Sequence, residues 1–349
     1  MTIQEAIGQV VLGKDLPEQA MYEVMLAVMS GDATPAQIGA FITALRIKGE
    51  TVEEIAGAVR VMREKATRVD TGVDTAAGGI VIDTCGTGGD CSGTFNVSTT
   101  SAFVVAGAGG VVAKHGNRSV SSKCGSADVL EAAGVSLNLT AEQIGTCVRT
   151  VGIGFLFAPA LHGAMKYAIG PRREIGIRTI FNILGPLTNP AGANVQVLGV
   201  FDAALTEPLA NVLAKLGSKR ALVVHGEGNL DELTVTGATT VSEMTGGSVR
   251  TYSVSPEDFG LPRARLEELA GAQTPQLAAA EMRAILAGAK GPKRDMVLLN
   301  SGAALMAAGI EPSIADGIRR AASTIDSGKA VAKLDELVKL CAALSAGNA

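Results

Sequence analysis

The chain has 349 residues, enough for two domains or for one large domain with an appendage. Glycine makes up 43 of the 349 residues, which is more than the usual share of about 7%. Because 47% of the residues are hydrophobic, the glycines indicate tight turns rather than disorder. The net charge is −4, tryptophan is absent, and only eight phenylalanines and three tyrosines occur. This composition disfavours a nucleic-acid partner and leaves a small, anionic, metal-chelated ligand open.

The five cysteines are odd in number and never spaced as CxxC, which argues against a disulfide framework or a structural zinc site. The N-terminal segment carries Glu5 and lacks the basic-then-apolar order of a signal peptide. The long uncharged stretch 92–113 is rich in hydroxyl groups and glycine and is too polar to cross a membrane. We therefore expect a cytoplasmic protein without a membrane segment.

Residues 1–68 predict four short amphipathic helices. Apolar residues such as Ile3, Ile7 and Val10 recur at helical spacing, and 34–37 and 51–54 have the pattern of capping boxes. Because such helices bury little surface individually, they must pack against each other and against something else. We expect a homodimer interface on their remaining apolar face.

A glycine-rich linker at 70–79 precedes an alternation of strands and helices. This alternation predicts an α/β fold with a mostly parallel central sheet. The segments 239–244 and 248–253 predict an antiparallel hairpin at the sheet edge, and the chain after 274 is helical with breaks at three glycines. Strands are expected at 80–83, 110–113, 154–157, 195–200 and 221–224, and helices at 99–108, 127–133, 141–151 and 207–216.

The first candidate site is the segment DTCGTGGD (83–90), which follows a predicted strand. Its glycines let backbone N–H groups converge on an anion, and Asn96, Ser98 and Thr99 open the next helix, whose N-terminus also favours anions. Through Ser98 the segment could also coordinate Mg²⁺. The alternative is a tight turn followed by ordinary helix caps.

Three further polar segments stand out. The segment KHGNRSVSS (114–122) follows the next strand and carries two cations, Lys114 and Arg118, where open α/β sheets bind ligands. Asp231 and Glu232 suit Mg²⁺ that is shared with substrate phosphates. Arg172 suits a carboxylate. Each segment also has a simpler interpretation, respectively a solvated loop, an acidic turn and an exposed helix face.

The motifs GTGGD, FNVST, KHGNR, GSADVLE, GIRTIFNILGPLTNP and LDE occur in the order found in the anthranilate phosphoribosyltransferase family, which the chain resembles over nearly its whole length. The resemblance implies a homodimer. It also implies a small helical domain (1–70 plus about 170–188) and an α/β domain (75–169 and 189–349) that binds 5-phosphoribosyl 1-pyrophosphate.

The resemblance also implies roles for individual residues. Lys114, Asn117 and Arg172 would be catalytic, and Gly86, Asn117 and Arg172 would contact anthranilate. Mg²⁺, expected as two ions, would be held by Ser98, Asp231 and Glu232. The phosphoribosyl donor would be bound by Gly86, Gly89, Asp90, Thr94, Asn96, Val97, Ser98, Thr99, Lys114, His115, Gly116, Asn117, Arg118, Ser119, Val120, Ser121, Ser122 and Ser126.

The expected reaction transfers the phosphoribosyl group to the amine of anthranilate, the second step of tryptophan biosynthesis. No nucleophile–base constellation stands out in the sequence, which fits catalysis by positioning and electrostatics. Two alternatives stay open: a pyrimidine nucleoside phosphorylase and a non-catalytic relative that binds nucleic acid. Asp231, Glu232, Arg172 and the negative net charge argue against the second.

Overall fold

The computed structural model describes residues 1–90, 92–118 and 124–346. The four predicted N-terminal helices are present. Threonines at positions 2, 34 and 51 cap three of them, each accepting from the N–H three residues later. The helices are α1 (Ile3–Val10), α2 (Glu18–Ser30), α3 (Pro35–Lys48) and α4 (Val52–Lys65).

A seven-stranded sheet forms the centre of the remaining chain, in the order β3-β2-β1-β4-β5-β6-β7. The first five strands of this order are parallel, and β6 and β7 continue it as an antiparallel hairpin at the edge. The predicted mostly parallel α/β fold is thereby confirmed. The strands are β1 (Ile82–Gly86), β2 (Val112–Gly116), β3 (Ile153–Phe157), β4 (Val195–Gly199), β5 (Arg220–Gly226), β6 (Thr239–Thr245) and β7 (Ser248–Val254).

Helices cover both faces of the sheet, and the last four are separated at the predicted glycines. The chain between β3 and β4 contains three helices and returns to the N-terminal bundle, where α9 packs on α2 and α3, and α10 packs on α4. The bounds are α5 (Val97–Gly107), α6 (Ser126–Ala132), α7 (Ala141–Val151), α8 (Ala158–Leu161), α9 (Lys166–Ile175), α10 (Phe181–Leu187), α11 (Thr206–Lys215), α12 (Pro275–Leu286), α13 (Pro292–Ala307), α14 (Ile314–Asp326) and α15 (Lys329–Ala346).

Two apolar cores hold these layers together. One lies between the sheet and the helices around α5 and α13, where Phe103 and Leu299 are buried. The other joins the N-terminal helices to α10, α11 and the opposite face of the sheet, with Phe41 and Leu213 fully buried. The N-terminal helices therefore share a core with the α/β layers.

The predicted strands 80–83 and 110–113 were wrong at both ends, since β1 and β2 begin two residues later and end three residues later. We predicted strands that end at Asp83 and Ala113, but β1 continues to Gly86 and β2 continues to Gly116. The reason is pairing, since Gly86 of β1 lies opposite Gly199 of β4, and Gly116 of β2 lies opposite Phe157 of β3. The first residues of both candidate loops are consequently fixed by the sheet.

Candidate active site

The glycine-rich segment after β1 lies directly against Asp231. A Cβ atom on Gly86 would come within 2.3 Å of the Asp231 Oδ2 atom, so a side chain at Gly86 would displace the Asp231 carboxylate. The backbone N–H of Gly88 donates to the same oxygen at 2.8 Å. Gly88 and Gly89 have φ of +64° and +74°, a conformation that L side chains rarely adopt. The glycine-rich segment and Asp231 are therefore in direct contact.

A second contact ties Glu232 to the start of α5. The Ser98 N–H donates to Glu232 Oε1 at 3.2 Å, and the Ser98 carbonyl accepts from the Thr84 hydroxyl at 2.9 Å. Helix α5 starts at Val97, two residues before the predicted start, so Ser98 lies in its first turn. The acidic pair thus bridges the glycine-rich segment and the N-terminus of a helix.

The two carboxyl groups stand in a strongly acidic environment. Burial, then the nearby charge of Asp90, raises the pKa of Asp231 to about 7. Burial, then the charge of Asp231, raises the pKa of Glu232 well above its usual range. Neither carboxylate forms an ion pair with lysine or arginine in the parts of the chain that the structure describes. A bound cation would relieve this repulsion.

The donor set fits Mg²⁺, which prefers oxygen ligands. Asp231 and Glu232 offer carboxylate oxygens, and Ser98 follows on the adjacent helix turn. Within residues 1–90, 92–118 and 124–346 no cluster of three or more His, Cys, Asp or Glu side chains forms a metal cage. This arrangement is typical of Mg²⁺ that one or two carboxylates share with substrate phosphates.

The second motif begins inside β2. Lys114 is 3% exposed, and its Nζ atom donates to the Thr84 carbonyl at 2.6 Å. Arg118 is engaged by Asp128 and Glu131 at 2.7 and 2.9 Å, while the Asn117 carbonyl accepts from the Ala127 N–H. The Arg118 guanidinium is thus shared with carboxylates of α6 and its position is set by that helix.

The other residues predicted to contact the phosphoribosyl donor lie at the same end of the sheet. The Thr99 hydroxyl donates to Ser126 Oγ at 2.9 Å, and the Asn96 amide donates to the Cys124 carbonyl at 3.1 Å. These bonds join α5 to the start of α6. Asp90 accepts from Ser92, whose hydroxyl also contacts Thr94, and Val97 is buried. Ser119, Val120, Ser121 and Ser122 lie outside the described residues.

Arg172 lies apart from this cluster, on α9. Its guanidinium carbon is 5.2 Å from the centre of the Phe181 ring of α10, and burial lowers its pKa. The arginine that contacts the glycine-rich segment is Arg178, which donates to the Gly89 carbonyl and lies 4.2 Å over the Phe201 ring. Sequence reasoning missed Arg178, although the quoted motif GIRTIFN contains it.

Sequence reasoning also missed a buried histidine pair. The Nε2 atoms of His115 and His162 are 3.2 Å apart, and both rings are almost wholly buried. Burial lowers the pKa of His115 to about 3 and that of His162 to about 4. His162 follows α8, and no local signal links it to β2. Both rings are therefore neutral at pH 7.

Comparison with known proteins agrees with the geometry. Residues 4–66 match the model of the glycosyl transferase family helical bundle domain, and residues 78–331 match that of the family's a/b domain. A relative from Desulfotalea psychrophila, named anthranilate phosphoribosyltransferase, is 59% identical over 97% of both chains.

Solved structures give the same result. The anthranilate phosphoribosyltransferase of Thermus thermophilus is 44% identical, with a TM-score of 0.90 over 97% of this chain and 99% of that one. Two structures of the Saccharomyces cerevisiae enzyme, one in complex with PRPP and Mg and one with 4-fluoroanthranilate, have TM-scores of 0.86 at 26% and 25% identity and cover 98% of both chains. The chain belongs to the anthranilate phosphoribosyltransferases of this glycosyl transferase family.

Proposed function

We propose that the protein transfers the phosphoribosyl group of 5-phosphoribosyl 1-pyrophosphate to the amine of anthranilate and releases pyrophosphate. The observation that carries this proposal is the contact of Asp231 with Gly88 and of Glu232 with Ser98. These bonds place carboxylates beside a glycine-rich anion cradle and a helix N-terminus. The relatives' substrates, PRPP and an anthranilate analogue, fit such a site.

The protein's contribution to this reaction is electrostatic. As the bond from C1 of the ribose to pyrophosphate lengthens, the sugar gains positive charge and the leaving group gains negative charge. Backbone N–H groups of 86–90, the first turn of α5 and Lys114 stabilise the leaving group. The aromatic amine is neutral at pH 7, so it attacks C1 without prior deprotonation and releases one proton to solvent after the C–N bond has formed. Holding the amine in line with the breaking bond supplies much of the acceleration.

We assign the acceptor to the Arg172 side of the site, with Asn117 and Gly86 as further contacts. Asn117 is exposed beyond the end of β2, and Arg172 has no carboxylate partner within the described residues. A planar guanidinium suits the carboxylate of anthranilate. Different secondary-structure elements would then hold the phosphoribosyl donor and the anthranilate acceptor.

Mg²⁺ is the proposed cofactor, as two ions, with Asp231, Glu232 and Ser98 as protein ligands. When bound, Mg²⁺ neutralises charge that develops on the pyrophosphate. The protein supplies the oxygen ligands and the close backbone approach that keeps them together. A Cβ atom on Gly199 would lie 1.5 Å from the Asp231 carbonyl, so β4 also requires glycine at this contact.

A homodimer is the proposed assembly, with the interface on the helical domain. Val11, Leu12 and Ile47 are 66%, 72% and 82% exposed, and Ile169 of α9 is also exposed. Ile47 lies on α3 and Ile169 on α9, which pack on each other, and Val11 and Leu12 directly follow α1, which packs on α3. We call Val11, Leu12, Ile47 and Ile169 the apolar patch.

We also propose the domain boundaries expected above, 1–70 with 170–188 and 75–169 with 189–349, and a cytoplasmic location. The packing of α9 and α10 on the N-terminal helices supports the first. Four buried free cysteines among the described residues are compatible with a reducing compartment. None of the described helices is long and apolar enough to span a membrane.

The decisive experiment follows anthranilate fluorescence with the ribosyl donor and Mg²⁺, with each omitted in turn. Anthranilate fluorescence should fall only when the ribosyl donor and Mg²⁺ are both present. The pyrophosphate released should equal the anthranilate consumed. The variant Asp231→Asn with Glu232→Gln should need much more Mg²⁺, and an unchanged magnesium titration would remove the pair from the site. Release of free base from thymidine or uridine with phosphate would instead favour a nucleoside phosphorylase.

A further inference from the structure

Strands β1 and β2 separate just before the glycine-rich segment and the KHGNR segment, which follow them. The register pairs β1 with β4 at five positions and β2 with β3 at five, but within these fully described strands β1 and β2 pair only at Ile82 and Val112. Beyond that pair a parallel ladder would continue through Thr84, Ala113 and His115. The sheet is therefore open between β1 and β2, at the end where the glycine-rich segment and the KHGNR segment leave it.

Side chains replace the missing ladder bonds. The Asn189 amide donates to the Ala113 carbonyl at 2.8 Å, and the His115 N–H donates to Asp83 Oδ1 at 3.1 Å. The same Asn189 amide donates to Asp83 Oδ2 at 2.8 Å. Asp83 and Asn189 are 0% and 5% exposed, so these bonds are shielded from water. The Ala113 carbonyl and the His115 N–H are thus satisfied although the strands do not pair at these residues.

Lys114 completes the replacement. Its Nζ atom donates to the Thr84 carbonyl, the β1 group that the ladder would have bonded to His115 N–H. It also donates to the His115 carbonyl at 3.3 Å. The side chain of this candidate catalytic residue is thereby held in the opening between the strands. We call Asp83, Lys114 and Asn189 the β1–β2 polar bridge.

We propose that Asp83 and Asn189 are positioning residues, which hold β1 and β2 apart so that Lys114 and the two loops face the phosphoribosyl donor at the correct spacing. The inference rests on the proposed function. Without the bridge the unpaired backbone groups would favour closure of the ladder, because buried polar groups are costly to leave unsatisfied. Closure would draw the loops together and displace Lys114.

The test uses Asn189→Ala and Asp83→Asn in the full chain, with Asn194→Ala as the matched control. Asn194 makes two similar bonds, accepting from the Val81 N–H at 3.0 Å and donating to the Gly79 carbonyl at 2.8 Å, but before the start of β1. Asn189→Ala and Asp83→Asn should raise the KM for the donor or the Kd for donor with Mg²⁺ by tenfold or more. Asn194→Ala should change both quantities less than threefold.

Calorimetry of donor and Mg²⁺ binding makes the test independent of turnover. Wild-type protein that binds donor but does not consume anthranilate would overturn the proposed function, and the variants would still decide the positioning role. The positioning role would be overturned if Asn189→Ala and Asn194→Ala weakened donor binding equally and lowered the melting temperature equally. It would also be overturned if both Asn189→Ala and Asp83→Asn bound the donor with a Kd within threefold of the wild-type value. If Asn189→Ala does not fold, Asn189→Ser, which keeps one donor, takes its place.

Discussion

Arg172 is the residue on which the acceptor assignment depends. Its guanidinium lies over the Phe181 ring, while the neighbouring Arg173 is exposed on the same helix. We expect Arg172→Ala to weaken anthranilate binding by about 1.5–3 kcal/mol, the magnitude of a hydrogen bond to a charged group, which corresponds to a 10- to 150-fold higher KM for anthranilate. Initial-rate kinetics with varied anthranilate measure this change.

Arg173→Ala is the control, since it removes an equal charge from the same helix. Its KM for anthranilate should stay close to that of the wild type. Equal effects of the two substitutions would mean that net charge, rather than contact with the acceptor, explains the loss. An unchanged KM in Arg172→Ala would remove this arginine from the site.

The buried pair His115 and His162 makes stability depend on pH. Their pKa values of about 3 and 4 lie below the ordinary value of 6.5, so the unfolded chain binds protons more readily than the folded one. The stability contribution is complete above pH 6.5 and is lost as the pH falls toward 4. For His162 the loss at pH 4 is about 3 kcal/mol.

Melting temperatures between pH 7 and pH 4 test this expectation. The wild type should lose stability steeply over that range, and His162→Gln, which cannot take up a proton there, should lose less. Parallel curves for the two proteins would show that the acid sensitivity has another origin.

Long-range contacts limited what could be predicted about individual residues. Asp231 and the glycine-rich loop were each predicted from local chemistry as separate candidates, and only the resemblance to the family implied that they serve the same ligand. Arg178 was missed because its partners, Gly89 and Phe201, come from two other parts of the chain. The predicted donor and acceptor contacts themselves stay predictions.

Helix α4 depends on a buried carboxylate at its start. Glu54 is fully buried and accepts from the Leu16 and Thr51 N–H groups at 2.9 and 2.8 Å and from Lys48 Nζ at 3.0 Å. Removing one member of a buried pair costs about 3–5 kcal/mol, so Glu54→Ala should lower the melting temperature markedly. Glu53→Ala, which alters an exposed carboxylate one residue earlier, should lower it little. Similar melting temperatures for both variants would contradict a stabilising role of Glu54.

The helices were predicted more accurately than the strands. Capping residues and glycines mark helix ends locally, which explains the agreement for α1 to α4 and for the helices after 274. The ends of β1 and β2 depend on partners far along the chain, Gly199 and Phe157, and no local pattern shows where that pairing stops. The separation of β1 from β2 could not be predicted from the sequence for the same reason, since Asn189, which bonds to β2, follows α10 in the chain.

The apolar patch predicts how two copies of the molecule assemble. Ile47→Glu places a charge on its most exposed side chain, and burying an unpaired charge in an interface is costly. We expect the wild type to have the mass of a dimer in light scattering and Ile47→Glu to shift toward the monomer. Leu277→Glu, on the 59% exposed leucine of α12, is the control and should remain dimeric. A monomeric wild type would contradict the dimer.

The insertion of α8, α9 and α10 between β3 and β4 carries the residue that we propose as the main acceptor contact. Arg172 and Phe181 lie in this one contiguous stretch, whereas the loops that would hold the phosphoribosyl group follow β1, β2 and β5. Under the proposed acceptor assignment, mutations at Arg172 or Phe181 would change which aryl amine is accepted, whereas mutation of Arg178 in the same stretch would also disturb the glycine-rich segment. Redesign of acceptor preference would therefore start from these two positions rather than from the whole stretch.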